Sequence, residues 1–412
     1  MGDRMSSPCR LCGTPLQATF VNLNHSPLAN SLLDEAALDK MEPHYPLHAY
    51  VCNECFLVQL PVFESPESIF GHYLYFSSFS ETWLDHARRY CRAMRERFGI
   101  DRESLVVEVA SNDGYLLQYF AEAGIPVLGI EPAANVAAAA QQRGIPTRVA
   151  FFGAAEAESL RSSGHSADII CANNVLAHVP NLHDFVEGFR ILLKPDGVAT
   201  FEFPHLLRLL EGNQFDTIYH EHFSYLSLAV VERVLAEHGL LIFDVEELPV
   251  HGGSLRVYAC HREAARPMSE AVEAVRQHEM VTQLDRLETY ANFAERVVDI
   301  KSELLQFLID MRREGRRVAG YGAPAKANTL LNYCGIGREL LPFTVDCSPH
   351  KQGLFLPGSR IPILNPEAMF AARPDFVLVL PWNLKDEIVG QLVEMRAWGA
   401  TFVTAIPKLT FH

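Results

Sequence analysis

Residues 105–114 read Leu-Val-Val-Glu-Val-Ala-Ser-Asn-Asp-Gly, an apolar run that ends in a polar turn and gives way to a helical stretch from Tyr115. Branched apolar residues bounded by turn formers predict a strand, and strand, turn and helix in that order predict the first unit of an α/β domain. The pattern repeats downstream. Pro126-Val-Leu-Gly-Ile130 ends in Glu131, and Ala167-Asp-Ile-Ile-Cys-Ala172 runs into Asn173-Asn-Val-Leu-Ala-His178. Leu193-Lys-Pro-Asp-Gly197 then turns a helix into a further strand, Val198 to Phe203. Such a ladder forms a sheet that binds its ligand at the carboxyl ends of the strands.

The first turn selects the ligand. A dinucleotide asks for two or three glycines there, so that a pyrophosphate can approach the helix amino terminus. Only Gly114 is present, and Asp113 repels a phosphate. S-adenosylmethionine carries a cationic sulfonium and an amino group and no phosphate, so the acids Glu108 and Asp113 suit it, within a loop that also offers Ser111 and Asn112. Glu131 stands eighteen residues after Asp113, where an acid takes ribose hydroxyls. Asn173 and Asn174 lie where a methyl donor would meet its acceptor.

Outward from this core, the 412 residues exceed one ordinary domain and suggest two or three. The net charge of −15 disfavours nucleic acid and anionic membranes, leaving a small molecule as the expected partner. No run of eighteen apolar residues occurs, and Met1 to Pro8 is polar, which points to a cytoplasmic protein. A monomer is admissible and the oligomeric state stays open. Composition predicts three parts: a metal-binding lobe over 1–66, an α/β domain over 67–265 that holds the expected S-adenosylmethionine turn, and helices plus a second α/β domain over 266–412. Apolar residues at helical spacing between Leu284 and Leu308 mark the joining helices.

Cys9-Arg-Leu-Cys12 and Cys52-Asn-Glu-Cys55 are two Cys-x-x-Cys pairs separated by 39 residues. Four thiolates at this spacing close a tetrahedral zinc shell, and a closed shell is structural because no position remains for a substrate. Iron suits the same four sulfurs, and His25, His44 and His48 are the alternative ligands nearby.

Phe215-Asp-Thr-Ile-Tyr219-His-Glu221-His222-Phe-Ser-Tyr225 is the densest group of acid–base side chains. A hydroxyl or amine acceptor needs one base; a carbon acceptor needs a proton removed beside a carbonyl and the enolate stabilised, which suits His, Glu and Tyr together. His220 and His222 lack the i, i+4 spacing of a helical metal pair. Further on, Gly320-Tyr321-Gly322-Ala-Pro-Ala-Lys326 follows a strand as a Gly-x-Gly-x-x-Ala loop. That loop fits NAD or the pyrophosphate of a sugar nucleotide, with Lys326, Lys351 and Arg256 as candidate phosphate cations.

Taken in order, the paired cysteines, Val107 to Gly114, Asn173 to His178, Glu202-Phe-Pro204, Tyr219 to Tyr225, His251-Gly-Gly-Ser-Leu-Arg256 and Gly320 to Lys326 carry a specific resemblance. The chain resembles, over nearly its full length, the zinc-containing, S-adenosylmethionine-dependent sugar C-methyltransferases that modify nucleotide-linked 4-keto-deoxysugars. The resemblance implies a zinc lobe, a central class I (Rossmann-like) methyltransferase domain and a second Rossmann-like domain enclosing a dTDP- or GDP-linked 4-keto-6-deoxysugar. It implies methylation beside the C-4 ketone, C-3 before C-5, in making branched sugars for antibiotics or polysaccharides. By motif, His222 is the implied base, Tyr219 and Glu221 orient it or the sugar, and His178 lies near the keto oxygen. Tyr73 is implied to close the cofactor pocket, and Tyr225, His251, Arg256, Tyr321, Lys326 and Lys351 to hold the sugar nucleotide. An O- or N-methyltransferase fits the cofactor half, and a non-catalytic nucleotide-sugar or NAD module fits the loops; both stand as alternatives.

Overall fold

Two matching turns frame the amino-terminal lobe. In each, the residue after the second cysteine takes a left-handed backbone, Gly13 at φ 75° and Phe56 at φ 59°. Its N–H returns to the carbonyl of the first cysteine, at 2.9 Å for Gly13 to Cys9 and 3.0 Å for Phe56 to Cys52. Glycine adopts this conformation freely, whereas Phe56 holds it against its own Cβ. The turns aim all four sulfurs inward: they lie within 4.8 Å of one another, with Cys9–Cys55 and Cys12–Cys52 each at 3.5 Å. Ligands at 2.3 Å from a tetrahedral zinc stand about 3.8 Å apart, so the cluster has the dimensions of that site.

The computed structural model describes residues 7–71, 77–79 and 81–412. Strands β1 (Ala18–Ser26), β2 (Tyr45–Val51) and β3 (Val58–Gln59) pair antiparallel around the cysteine turns. Leu47, Ala49 and Val51 are buried in alternation, as a sheet with one covered face requires.

The ladder expected from residue 105 onward is present. Strands β4 (Val106–Val109), β5 (Val127–Ile130), β6 (Thr147–Arg148), β7 (Ala167–Asn173) and β8 (Leu193–Pro204) run parallel. After a short β9 (Ser224–Tyr225), β10 (Leu240–Leu248) runs in the same direction as β8 and β11 (Ser254–His261) inserts antiparallel between them, completing seven strands in the order β10-β11-β8-β7-β4-β5-β6. The chain builds outward from β4 first one way and then the other, so a crevice opens where the connections diverge, beside the carboxyl ends of β4 and β7.

Strand β9 belongs elsewhere. It leaves the central domain and pairs with β3, Val58 opposite Tyr225 and Gln59 opposite Ser224, as the fourth strand of the amino-terminal sheet. Sequence composition places a boundary near residue 66; the backbone hydrogen bonds run across it, because a two-residue β3 would otherwise leave its edge unpaired.

Helices Glu270–Val281, Leu287–Ala291 and Phe293–Arg313 lead to the last sheet. There β12 (Val318–Tyr321), β13 (Thr344–Val345), β14 (Ile363–Leu364), β15 (Phe376–Val379) and β16 (Thr401–Thr404) are parallel, and β17 (Thr410–Phe411) is antiparallel, in the order β14-β13-β12-β15-β16-β17. Phe20 of β1 stacks on Phe293 at 4.6 Å and meets Tyr290 edge-on at 5.9 Å. These rings are fully buried, and each contributes roughly 1.5–3 kcal/mol on leaving water. The amino-terminal lobe and the carboxyl-terminal helices therefore share one core. Among the described residues no helix is long and apolar enough to cross a membrane.

Because the four thiols frame a small sheet, Cys55→Ser is expected to release the metal and cost several kcal/mol of stability. Metal analysis, expected to find about one zinc per native chain, and chemical denaturation check this.

Candidate active site

The turn after β4 is shaped by Asn112 at φ 49° and Gly114 at φ 79°. A Cβ on Gly114 would stand 2.9 Å from Ile145 Cγ1, so glycine is required by space as well as by conformation. Glu131, at the end of β5, accepts the N–H groups of Asn112 and Ala133, each at 2.9 Å, and so is locked against this turn. Asp113 accepts from Arg143 at 2.9 Å and from the Ser78 hydroxyl. One oxygen of Glu108, the Ser111 hydroxyl, Asp113 Oδ1, Asn173 Oδ1 and the Asn174 amide are buried without a hydrogen-bond partner among the described residues. Each orphan costs about 1–3 kcal/mol unless a ligand satisfies it. Burial, together with Glu131 and Asp113, holds the Glu108 carboxyl well above its ordinary range, and burial also raises Glu131. A crevice of unsatisfied acceptors under mutual carboxylate repulsion fits a cationic ligand bearing an ammonium and a sulfonium. Tyr73 lies outside the described residues.

His222 follows the single-turn helix Phe215–Thr217, in a stretch that is neither strand nor helix. Its Nδ1–H donates to the Thr217 carbonyl at 2.9 Å, and the Nδ1–H of His178 donates to the Glu221 carbonyl at 2.8 Å. A carbonyl oxygen only accepts, so each neutral ring carries its proton on Nδ1 and leaves the Nε2 lone pair free. The two rings stand 4.7 Å apart edge to face, and the Tyr219 ring lies 4.0 Å from His222. Burial, then the His178 charge, drives the His222 imidazole well below its ordinary pKa; burial brings His178 down to about 4. Both are unprotonated near neutral pH. Both are also only half-buried, so they wall a cleft within the protein rather than sit in a core. Thr217, His222 and Tyr225 line one cavity there with Ala177 and Pro204.

Glu221 is buried, accepts from Asn30 Nδ2 at 2.7 Å, and is pushed up to about 7 by burial against the pull of that bond. His220 turns the other way, its Nε2 3.2 Å from the Pro46 carbonyl and its ring against Tyr45. Among the described residues the four cysteines form the sole cluster with metal-binding geometry.

The carboxyl-terminal candidates divide. Lys326 donates to Asn383 Oδ1 at 2.7 Å and lies 4.7 Å from the centre of the Trp382 ring, whose Nε1 donates to Asp216 Oδ2 at 2.7 Å. His251, at φ 54°, meets Trp83 edge-on at 5.3 Å and is solvent-exposed. Arg256 requires correction as a phosphate cation: it is buried, paired with Glu202 at 2.7 Å and Glu246 at 3.0 Å, and faces the Tyr90 ring. A Cβ on Gly322 would strike Pro381 at 2.5 Å and one on Gly320 would reach Thr344 at 2.9 Å, so protein packed against the backbone requires both glycines. The Asp346 carboxylate already accepts the Ala323 and Ser348 N–H groups, each at 2.8 Å. Lys351 is tied to the Ala323 carbonyl at 2.9 Å, and the Tyr321 hydroxyl lies 3.3 Å from Cys347 Sγ. Asn30, Asp216, Trp382 and Asn383 were not singled out by sequence, since each gains meaning only from a partner distant in the chain, and Thr217 acts through its backbone carbonyl, which residue type does not mark.

Family profiles match three consecutive stretches: a zinc binding domain over residues 9–70, a methyltransferase domain over 83–244 and a C-methyltransferase C-terminal domain over 249–407. The C-methyltransferase NovU of Streptomyces niveus is 37% identical over 400 residues, 97% of this chain and 95% of the relative. The chain belongs to the C-methyltransferase family. Solved structures similar to this C-methyltransferase include magnesium protoporphyrin IX methyltransferase (ChlM) from Synechocystis with bound S-adenosylmethionine (14% identity, TM-score 0.34, 43% of this chain and 79% of that one). An S-adenosylmethionine dependent methyltransferase from Mesorhizobium loti gives 16% identity and TM-score 0.34 over 43% of this chain and 99% of its own. S-adenosylmethionine is the cofactor of this C-methyltransferase, in accord with the unsatisfied acceptors around β4, and the four-thiol cluster is its zinc site. The alternatives of O- or N-methylation and of a non-catalytic module fall away.

A base must be neutral to act, so if His222 takes the substrate proton, its lowered pKa moves the loss of activity to lower pH. The acid limb reporting this imidazole is therefore expected below pH 6.5, while an inflection near pH 7 reports Glu221 and should vanish in Glu221→Gln. Rate profiles from pH 4.5 to 8.5 check both.

Proposed function

We propose that this enzyme methylates C-3 of a nucleotide-diphospho-4-keto-6-deoxysugar, linked to dTDP or GDP, through a base-generated enolate. The observation that carries the reading is the pair of neutral imidazoles, His178 and His222, whose Nε2 lone pairs are freed by Nδ1 bonds to Glu221 and Thr217 carbonyls. A carbon beside a ketone gives up its proton only to a base held unprotonated at the working pH.

In this reading His222 Nε2 takes the C-3 proton, and the Thr217 carbonyl keeps the ring in the tautomer that can do so and supports the imidazolium once formed. Tyr219, packed 4.0 Å from His222, fixes the ring plane. Glu221, at its raised pKa of about 7, offers a carboxyl that donates to or accepts from a sugar hydroxyl, positioned by Asn30 from the zinc lobe. S-adenosylmethionine supplies the electrophilic methyl at the ends of β4 and β7. Water must be kept from the enolate, which it would otherwise reprotonate. The reading places the enzyme in the cytoplasm, in the making of branched sugars for an antibiotic or a polysaccharide, and NovU, a C-methyltransferase of 37% identity, supports it.

The test is product mass and carbon NMR after incubation with S-adenosylmethionine and a panel of dTDP- and GDP-4-keto-6-deoxysugars. One sugar of the panel is expected to gain a methyl on C-3, and His222→Asn to lower turnover by about 10²–10⁴-fold with cofactor affinity retained. Methylation at C-5, or turnover confined to acceptors without a ketone, would overturn the assignment.

A further inference from the structure

The imidazoles that suit His178 and His222 to take a proton make them unsuited to a second task. Each presents a lone pair at Nε2, and a lone pair repels the negative oxygen that grows as a ketone becomes an enolate. A positive group must therefore come from another element.

Lys326 is mounted for that. It stands in the first turn of the helix Ala325–Cys334, which packs on the Phe215–Thr217 turn; Thr329 Oγ1 of the same helix donates to the Ile218 carbonyl at 2.9 Å. Within that turn, the Thr217 carbonyl holds His222 and the neighbouring Asp216 carboxylate holds the Trp382 indole, over which the Lys326 ammonium sits. The far edge of the same indole abuts the turn after His251, since a Cβ on Gly252 would stand 2.4 Å from Trp382 Cη2. One short turn and one ring thus link Lys326 to the segments that carry His222 and His251. Its charge bears on both imidazoles, lowering each. Asn383 takes one of the three ammonium protons, and the side chain is half-buried, open to the cleft. In the glycine loop the Ala323 N–H is already taken by the Asp346 carboxylate at 2.8 Å.

We propose that Lys326 is a catalytic residue whose ammonium binds the C-4 ketone oxygen of the sugar and stabilises the enolate oxygen. This rests on the sugar ketone being the substrate. The C-3–H bond breaks with its proton going to His222 Nε2; its electron pair forms the C-3=C-4 bond, and the carbonyl π pair moves onto the oxygen beside Lys326. The oxygen then returns its pair as C-3 bonds to the methyl and the methyl–sulfur bond breaks. His222 afterwards releases its proton to solvent. Asp216, buried beneath the indole, is the counter-charge that keeps the ammonium protonated, against burial that would discharge it.

Exchange of the C-3 hydrogen in D₂O, with S-adenosylhomocysteine in place of the methyl donor, isolates the enolate step. Wild type, Lys326→Met, Lys326→Gln and Lys326→Arg are compared at saturating sugar nucleotide, alongside full turnover, KM and cofactor affinity. Removing the charge is expected to lower both exchange and kcat by about 10²–10³-fold, with KM changed by less than about threefold and Arg restoring part of the rate. A rise in KM of tenfold or more with exchange at saturation intact would overturn the proposal in favour of a phosphate contact. Retained cofactor affinity in either uncharged variant serves as the folding control. Failure of the substrate reading shows separately, as the absence of exchange by wild type on every ketosugar of the panel, and overturns both.

Discussion

Two residues of β-sheet carry the site. Strand β9 pairs with β3, and the hydrogen bonds continue past the strand, with Leu60 N–H on the Phe223 carbonyl at 3.0 Å and Phe223 N–H on the Ala177 carbonyl at 2.8 Å. His222 precedes Phe223 and His178 follows Ala177, so one ladder sets both imidazoles. The ladder is in turn fixed to the metal cluster: Gln59, opposite Ser224, donates to Cys9 Sγ at 3.1 Å and accepts from the Arg10 backbone at 3.0 Å. The Arg10 guanidinium also lies over the Phe223 ring, 5.5 Å from its centre. The four-cysteine zinc site thereby helps determine where the His178 and His222 imidazoles point. A site mounted on strands and cross-links holds its geometry more closely than one on a free loop.

Burial does opposite work on the two halves of the site. Around β4 it crowds Glu108, Asp113 and Glu131 together with unsatisfied acceptors, an arrangement that is costly until a cation enters. Around β9 it strips charge from His178 and His222, leaving imidazoles that are unprotonated near neutral pH. The cofactor brings positive charge to the first, and under the proposed function the substrate brings an acidic C–H and a ketone oxygen to the second. Methyl transfer to carbon needs that division, since a protonated base cannot form the enolate and an unscreened acid cluster would not be matched to a sulfonium.

Buried cations were the hardest residues to assign by position alone. Arg256 lies in a conspicuous motif, yet its guanidinium neutralises Glu202 and Glu246 inside the central domain beside His86. Gly320 and Gly322 read as a phosphate loop, yet Thr344 and Pro381 fill the space that the missing side chains leave. A glycine records that something approaches the backbone closely, and it does not record whether the visitor is a ligand or the protein itself.

The sequence by itself determined the central ladder, because strand and helix periodicities and turn residues are local: β4, β5, β7 and β8 stand where their apolar runs placed them. It also determined the metal cluster, since Cys-x-x-Cys turns are built within a few residues and a tetrahedral shell joins any two of them. The density of His, Glu and Tyr between Tyr219 and Tyr225 marked the acid–base stretch. Only the tertiary structure decided which of those side chains face each other. His220 and His222 look equivalent in sequence, but pairing with β3 turns one toward Pro46 and the other toward His178. The partners that tune them, Asn30 some 190 residues before Glu221 and Trp382 some 170 after Asp216, become neighbours through burial in a shared core. Tautomer, charge and aim are set by such contacts, and no local pattern encodes them.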